Sequence, residues 1–459
     1  MQLKNVIDMP CGLRFMLDEL QLQSGYARRF LLDSHMMTSS EQLLVSYEVL
    51  KQFSAFVNSI DKSRLNTLLF RLQGVKDINT TINNLSRKAV LDDIELFEIK
   101  HLAILAGEVK KIMQEYNLNQ VIEIPELNNV IDILDPDGLK IASFYIYDSY
   151  CEELKQLRSD MRKNPDQQEQ LLIEATELED GVRASLSEKL YPFVENLSQA
   201  LISLALIDIN VAKALQISSM ALSFPNVAAT GECRYQAMFN PQVKASLEKQ
   251  GREFQPVNID FGSSPSLITG ANMGGKTVVL KTLALCQMLF QFGFGIPASS
   301  ATIVPCDEIF FCIGDEQSIE KGLSSFAAEM KKIDAVIKAS RTDNIILALI
   351  DEPARTTNPT EGTALVQALL KVINGNNVRL VMTTHYDIEP GNAHCLRVKG
   401  LVNGLMDYSL VEVHDGDVPH EALNIAQSLN IDSEWLNEAR RLLGDGSSCE
   451  ESKPNNVTI

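Results

Sequence analysis

The sequence offers little that would favour a membrane span or a disulfide scaffold. Its eight cysteines are scattered and form no C-x-x-C pair, so neither a zinc site nor a disulfide framework is expected. The most apolar stretch, residues 200–222, is interrupted by charged and polar side chains, which leaves no uncharged run of about 20 residues to cross a bilayer. Residues 1–20 begin polar, unlike a secretory signal. We therefore expect a cytoplasmic protein with free thiols and no membrane association.

Positive charge is also scarce. The 459 residues include 41 Lys and Arg against 60 Asp and Glu, which gives a formal net charge of −19. Phosphates of nucleic acids are bound by local cations, so bulk charge does not favour a nucleic-acid binder, although a local basic patch is compatible with this composition. The proportions of apolar and charged residues, 45% and 22%, are those of an ordinary globular protein.

Two patterns of organisation follow one another along the chain. In residues 1–250 glycine and proline are sparse and apolar residues recur three and four apart, which predicts helices almost throughout. Two turn signals, at residues 135–138 and 164–166, separate predicted helices. From about Phe224 short apolar runs alternate with helical ones, and the apolar run 345–350 is typical of a strand in a parallel sheet covered on both faces.

A glycine-rich segment with a recognised spacing lies between a predicted strand, 266–269, and a predicted helix, 276–290. It reads Gly270-Ala271-Asn272-Met273-Gly274-Gly275-Lys276-Thr277 and matches G-x-x-x-x-G-K-[ST]. Glycines allow backbone N–H groups to turn towards phosphates, and the helix N-terminus adds its positive end. Lys276 is then expected to reach the β- and γ-phosphates, and the Thr277 hydroxyl to bind Mg²⁺.

Two carboxylates, Asp351 and Glu352, directly follow the apolar run 345–350. Beside a phosphate-binding loop, Asp351 is expected to hold Mg²⁺ through water and Glu352 to polarise the attacking water. An Asp-Glu pair alone is frequently just a strand end, so this interpretation depends on its pairing with the loop.

Two further features leave alternatives open. His385 follows a predicted strand, 378–383, where a single histidine is commonly a structural hydrogen-bonder but in a nucleotide site can contact the γ-phosphate. Ser324 and Ser325 precede a predicted helix at 327–340, and by themselves they are typical of a helix N-cap.

Five motifs occur in one order along the chain. They are Thr269-Gly-Ala-Asn-Met-Gly-Gly-Lys-Thr277, Gly314-Asp-Glu-Gln-Ser318, Ser324-Ser-Phe326 with Glu329-Met330, Leu349-Ile-Asp-Glu352 and Thr383-Thr-His-Tyr386. Together they resemble the ATPase domain of MutS proteins, a branch of the ABC ATPases, and most closely the shorter branch that lacks the mismatch-reading domain. The resemblance is specific over 220–445 and weaker over 10–220, which looks like the family's helical core and lever region.

The resemblance implies an ATP-hydrolysing enzyme that uses ATP and Mg²⁺. It assigns phosphate and Mg²⁺ contacts to Lys276 and Thr277, the second metal contact to Asp351, the general base to Glu352 and the γ-phosphate sensor to His385. By analogy with the family, the adenine is expected near Val257-Asn258-Ile259.

The same resemblance implies a homodimer with two composite sites. Ser324 and Ser325 correspond to the signature segment that meets the ATP bound by the other subunit, and residues 421–443 resemble the family's helical dimerisation element. The expected fold is α + α/β: a helical core and lever domain at 1–220, an ABC-type ATPase domain at 221–445 and a disordered tail at 446–459.

Several departures from the family pattern bear on function. After Asp351-Glu352 the family has glycines where this chain has Ala354 and Thr356, which is expected to alter communication across the dimer. Residues 162–166 form a short predicted turn where the family inserts a DNA-contacting clamp, and no mismatch-reading domain or C-terminal nuclease module is recognisable.

Two functions are therefore open at this stage. One is a DNA-associated ATPase of mismatch repair or recombination. The other is an ATP-dependent remodelling or reactivating factor for a protein client, such as a cobalamin-dependent aminomutase. The intact motif residues Lys276, Asp351, Glu352 and His385 disfavour a non-hydrolysing scaffold.

Overall fold

The computed structural model of the protein describes residues 1–139, 143–163, 168–270, 274–313, 325–373, 377–402, 405–413 and 432–442. The chain divides into two compact units. The first contains residues 1–9, 13–224 and 288–296, and the second contains 10–12, 225–287 and 297–459. The first unit is helical and the second is built on two sheets, so the predicted α + α/β class is confirmed.

Ten α-helices form the first unit in the part of the chain that is described. They are α1 (Leu13–Asp18), α2 (Gly25–Asp33), α3 (Ser40–Ser59), α4 (Lys62–Gln73), α5 (Asn79–Ser86), α6 (Asp93–Glu115), α7 (Asn128–Leu134), α8 (Glu152–Lys163), α9 (Gln168–Leu190) and α10 (Val194–Met220). The start of α6 is fixed by a capping box, in which the Asp92 carboxylate accepts from the Glu95 N–H and the Glu95 side chain accepts from the Asp92 N–H.

The apolar helix α10 is the central helix of this unit and packs against α2, α3 and α6. Within the described residues, Gln170–Met220 is the one helical stretch whose length and hydropathy would be enough to cross a membrane, and 78% of its most apolar window is buried inside the protein. Burial of this extent is what the core helix of a folded unit shows.

A buried ion pair connects α6 to the turn that follows α7. The turn predicted at residues 135–138 is confirmed, since the Gly138 N–H donates to the Asp135 carbonyl at 2.9 Å. Lys100, which is 1% exposed, places Nζ 3.3 Å from Asp135 Oδ1 and donates to the Tyr147 hydroxyl at 2.9 Å. These hydrogen bonds offset part of the desolvation cost of the two buried charges.

Residues 288–296 are held inside the first unit by side chains from two helices. The Tyr47 hydroxyl on α3 lies 3.0 Å from the Phe290 carbonyl and 2.9 Å from the Phe294 carbonyl. Lys213 on α10 donates to the Phe292 carbonyl at 2.7 Å, and its Nζ lies 4.1 Å from the centroid of the Phe294 ring. Burial lowers the pKa of Lys213 to about 7.

The second unit contains all ten described strands and the remaining helices, one of which (276–291) continues into the first unit from residue 288. The strands are β1 (Asn226–Val227), β2 (Cys233–Met238), β3 (Val257–Phe261), β4 (Ser266–Thr269), β5 (Ser300–Ile303), β6 (Glu308–Cys312), β7 (Ile346–Ile350), β8 (Val378–Thr383), β9 (His394–Val402) and β10 (Leu405–Glu412). The helices are α11 (Pro241–Lys249), α12 (Lys276–Gln291), α13 (Ser325–Ala339), α14 (Pro359–Val372) and α15 (Ser433–Leu442).

The larger sheet has the strand order β10-β9-β4-β8-β7-β6 and is parallel except for the β9–β10 hairpin. Every residue of β7 and β8 is buried, as expected for central strands of a parallel sheet covered on both faces. The smaller sheet has the order β1-β5-β2-β3. Strands β1 and β2 lie after Phe224, where the sequence predicts a change from helical segments to alternating short runs.

Some expectations concern residues outside the described part of the chain. They are the turn at 164–166, the tail at 446–459, most of the dimerisation element before α15, and the segments 271–273 and 314–324. The predicted domain boundaries also stay predictions.

Candidate nucleotide-binding site

The carboxyl ends of three neighbouring parallel strands bring the predicted site residues together. Strand β8 lies between β4 and β7 in the larger sheet. The glycine-rich loop follows β4, Thr383 ends β8, and Asp351 follows β7. Ligands of open α/β sheets bind at this edge, outside the carboxyl ends of the strands.

The glycine-rich loop requires glycine at its first position. Gly270 has φ +129°, and a Cβ there would lie 3.3 Å from the Val398 Cβ, so a side chain would be both strained and crowded. Helix α12 begins at Lys276, whose side chain is 4% exposed and whose Nζ donates to the Gly270 carbonyl at 2.6 Å. The lysine is thus folded back over the loop, next to the N-terminus of the helix.

A hydroxyl and a carboxylate form the oxygen-rich part of the site. The Thr277 hydroxyl donates to Asp351 Oδ2 at 2.7 Å, and the Thr383 hydroxyl donates to Asp351 Oδ1 at 2.6 Å. Mg²⁺ takes oxygen ligands and usually keeps several waters besides one or two protein ligands and substrate phosphates. Thr277 and Asp351 fit such a site. The described residues contain no group of three or more His, Cys, Asp or Glu side chains placed to hold a metal by themselves.

Glu352 lies next to Lys276 in a strained backbone conformation. Its Oε1 is 3.4 Å from Lys276 Nζ and its Oε2 is 3.7 Å from Arg355 Nη1, while its side chain is 13% exposed. Its φ is +44°, in the left-handed region that a residue with a Cβ rarely adopts, and its N–H donates to the Thr383 hydroxyl at 2.9 Å. Strain of this kind persists where the surrounding structure fixes it, commonly at functional sites.

The structure also places at this site several residues for which no role was predicted. Thr383 bridges Asp351 and Glu352, Arg355 pairs with Glu352, and the side chains of Glu329 and Tyr386 both hydrogen-bond to the backbone of Ala354. Thr383, Glu329 and Tyr386 stand inside the motifs quoted above, so the signal was present, but only the fold shows what each side chain contacts.

Other predicted residues lie further from this network. His385 is exposed, and its ring centroid lies 4.3 Å from that of Tyr386. Ser325 begins α13, whereas Ser324 lies outside the described residues. Neither the γ-phosphate contact nor the signature role is tested by these positions, so both stay predictions.

The predicted adenine region lies on β3. Val257 is buried in that strand, and the Asn258 side chain accepts from the Ala237 N–H at 2.7 Å. On β10, the Tyr408 ring packs against Gly275, since a Cβ on that glycine would lie 3.2 Å from Tyr408 Cδ1. The Gln255 side chain accepts from the Tyr408 N–H at 3.0 Å, which connects the segment before β3 to this aromatic ring.

Comparison with known proteins identifies the ATPase motifs as a family domain. Residues 266–401 match the family model MutS domain V. This part of the chain is a MutS-type domain V. The matched region runs from β4 to β9 and includes Lys276, Thr277, Asp351, Glu352 and His385, so the resemblance of these motifs to the MutS ATPase domain is confirmed.

Similar curated proteins of several bacteria support a likeness to the MutS2 branch. The endonuclease MutS2 of Thermus thermophilus is 31% identical over 289 residues, which cover 61% of this chain and 37% of the relative. The endonuclease MutS2 of Finegoldia magna is 30% identical over 284 residues, which cover 59% of this chain and 35% of the relative. The endonuclease MutS2 of Halalkalibacterium halodurans is 34% identical over 223 residues, which cover 45% of this chain and 28% of the relative. The chain thus spans about a third of the length of these curated relatives.

Proposed function

We propose that this protein is a Mg²⁺-dependent, ATP-hydrolysing homodimer that couples its nucleotide state to movement of its helical region. One observation carries the proposal. Lys276, Thr277, Asp351 and Glu352 belong to one connected network of hydrogen bonds and ion pairs at the carboxyl edge of a parallel sheet. Such a network combines phosphate binding, metal binding and a candidate base within a single site.

The residues divide the chemistry among them. The loop from Gly270 to Thr277 binds the phosphates through its N–H groups, and Lys276 leaves the Gly270 carbonyl and Glu352 to reach the β- and γ-phosphates. Thr277 and Asp351 would hold Mg²⁺, which would neutralise charge on the phosphate oxygens. Once Lys276 has moved, the Glu352 carboxylate is released to accept the proton of the water that attacks the γ-phosphorus.

The dimer is the part of the proposal that comes from the family. Ser324 and Ser325 would meet the ATP held by the other protomer, and residues 421–443 would contribute to the contact between copies. His385 would sense the γ-phosphate. The changes to Ala354 and Thr356 fall in the segment after Glu352, where communication between the two sites is expected to pass.

DNA and a protein are the two candidate clients of this cytoplasmic ATPase. Relatives are named endonuclease MutS2, which makes a DNA-related role the first candidate. Helix α8 ends at Lys163 and α9 begins at Gln168, so the connection between them is too short to hold a clamp domain. Together with the net charge of −19, this favours a protein client as the second candidate.

Glu352→Gln tests the proposal, because glutamine keeps the shape of the side chain but does not accept the proton. We expect phosphate release to fall by at least about 100-fold while ATP binding persists, and the variant to accumulate as an ATP-bound dimer in sedimentation experiments. Glu248→Gln, on the exposed face of α11, is the matched control. Wild-type protein that releases no phosphate, or stays monomeric with ATP and Mg²⁺, would contradict the proposal.

A further inference from the structure

Ala354 occupies a conformation that its side chain disfavours. Its φ is +60° and it is 1% exposed, in a segment where the family carries glycine. Residues with a Cβ pay a steric cost in this left-handed region that glycine does not pay. Such a conformation persists only if neighbouring groups hold it.

Two side chains from different elements hold both polar groups of Ala354. Its N–H donates to Glu329 Oε1 at 3.0 Å, and its carbonyl accepts from the Tyr386 hydroxyl at 2.7 Å. Glu329 lies on α13, and Tyr386 lies just after β8. The peptide groups on either side of the Ala354 Cα are therefore fixed from two directions.

The position of Tyr386 is itself determined closely. Its N–H donates to the Thr384 hydroxyl at 3.0 Å, and its own hydroxyl lies only 2.3 Å from where a Cβ on Gly362 would be. Gly362 on α14 therefore leaves the space that the phenol occupies. Burial, and then the charges of Glu329 and Glu352, raise the pKa of Tyr386, so its hydroxyl stays a donor at neutral pH.

The fixed alanine lies two residues after the candidate base. The Glu352 N–H is held by Thr383, Pro353 has its φ restricted by its ring, and Ala354 is held by Tyr386 and Glu329. The three-residue segment is thus constrained at both ends and in the middle. This fixes the direction of the Cα–Cβ bond from which the Glu352 side chain extends.

We propose that Tyr386 and Glu329 are positioning residues, which hold Ala354 in the left-handed conformation and thereby aim Glu352 at the attacking water. Glu329 stands on α13, the helix that follows the signature segment at Ser324 and Ser325. The orientation of the Glu352 carboxylate therefore depends on the position of α13. This inference rests on the proposed ATPase function. It adds to that function a structural connection between α13 and the base Glu352 within one protomer.

Tyr386→Phe is the first test, since it removes a hydroxyl and keeps the ring. We expect kcat for ATP hydrolysis to fall about tenfold, with KM for ATP changed less than about twofold, because one hydrogen bond that orients the base is lost and no contact with nucleotide is altered. Tyr150→Phe is the matched control, because the Tyr150 hydroxyl also donates to a backbone carbonyl, that of Ile133, at 3.0 Å in the helical unit. Its kcat should equal that of the wild type.

Ala354→Gly provides a rescue that a purely structural role of Tyr386 would not show. Glycine adopts the left-handed conformation without the Cβ penalty, so the double variant Tyr386→Phe with Ala354→Gly should recover most of the lost kcat. Glu329→Ala should lower kcat in the same way, whereas Glu329→Gln, which keeps an acceptor oxygen, should retain most of it.

Amide hydrogen exchange of the nucleotide-free protein separates this inference from the proposed function. Peptides covering residues 352–357 should exchange faster in Tyr386→Phe and Glu329→Ala than in wild type or Tyr150→Phe, whether or not the protein hydrolyses ATP. Unchanged exchange, or wild-type kcat in both variants, would overturn the positioning role. Loss of hydrolysis from the wild type itself would overturn only the function on which that role acts.

Discussion

The buried side chain of Lys276 is paired with protein groups. Its Nζ contacts the Gly270 carbonyl and Glu352, so a triphosphate must offer better partners in exchange. Charge-assisted hydrogen bonds to phosphate are the strong ones. We expect Lys276→Ala to weaken ATP affinity at least about tenfold, measured by titration calorimetry with Mg²⁺ present. Lys281→Ala, further along α12, should bind ATP as the wild type does, and equal affinities for all three proteins would remove Lys276 from the site.

Burial of Lys213 should make the stability of the protein depend on pH. Its folded pKa of about 7 lies below the ordinary value of 10.5, so between these two values the unfolded chain binds more protons. Stability contributed by this residue should therefore rise with pH across that window and stay constant below it.

The variant Lys213→Met isolates this effect. The free energy of unfolding in urea, wild type minus variant, should increase with a slope of up to about 1.4 kcal/mol per pH unit above about pH 7. Below that value the difference should be flat. A difference that does not change with pH would mean that Lys213 keeps its proton in the folded protein.

The capping box of α6 is a testable feature at the level of a single element. Asp92 and Glu95 satisfy each other's backbone N–H groups at the start of a helix that supplies much of the core of the first unit. Asp92→Ala should lower the free energy of unfolding by about 1 kcal/mol. Asp132→Ala, an exposed acid on α7, should change it by less than about 0.5 kcal/mol. Equal effects in urea denaturation would mean that the cap does not stabilise α6.

The helices and strands that could be predicted from the sequence are those whose pattern lies within a short window of residues. Strand β8 and helix α12 were expected at residues 378–383 and 276–290, and they occur at Val378–Thr383 and Lys276–Gln291, because apolar runs and a phosphate-loop spacing are visible in a short window. Short β-like runs were predicted from about Phe224, but the bounds of β1 and β2 were not, since the runs in residues 226–238 form a sheet only by pairing with β3 and β5.

The candidate site was predictable to the extent that it follows from motifs. The pairing of Thr277 with Asp351 follows from two spacings and the rule that carboxyl ends of parallel strands meet at one edge. The positive φ of Ala354 and its two hydrogen bonds do not follow from any spacing, since alanine is no signal for a left-handed residue and Glu329 is distant in sequence. Long-range contacts of this kind depend on tertiary packing.

At the scale of the whole molecule, the net charge argues against DNA binding, the role that the name MutS suggests. Proteins that bind DNA place cationic side chains against its phosphates and so release counterions. This chain carries 19 more acidic than basic side chains. The connection between α8 and α9 leaves no room for a separate gripping domain. A nucleotide-driven change in the helical unit would then act on something other than a bare duplex.

Titration with duplex, mismatched and branched DNA tests this conclusion on the full chain. At physiological salt we expect binding no tighter than the non-specific range of about 10⁻⁴ to 10⁻⁶ M, with little difference among the three DNAs. Glu352→Gln, held in its ATP-bound state, should instead retain a protein partner that wild type releases after hydrolysis, with Glu248→Gln as control. Saturable binding of one DNA well below micromolar at that salt would make DNA the client, because net repulsion would then be overcome by a local basic surface whose cations contact the phosphates.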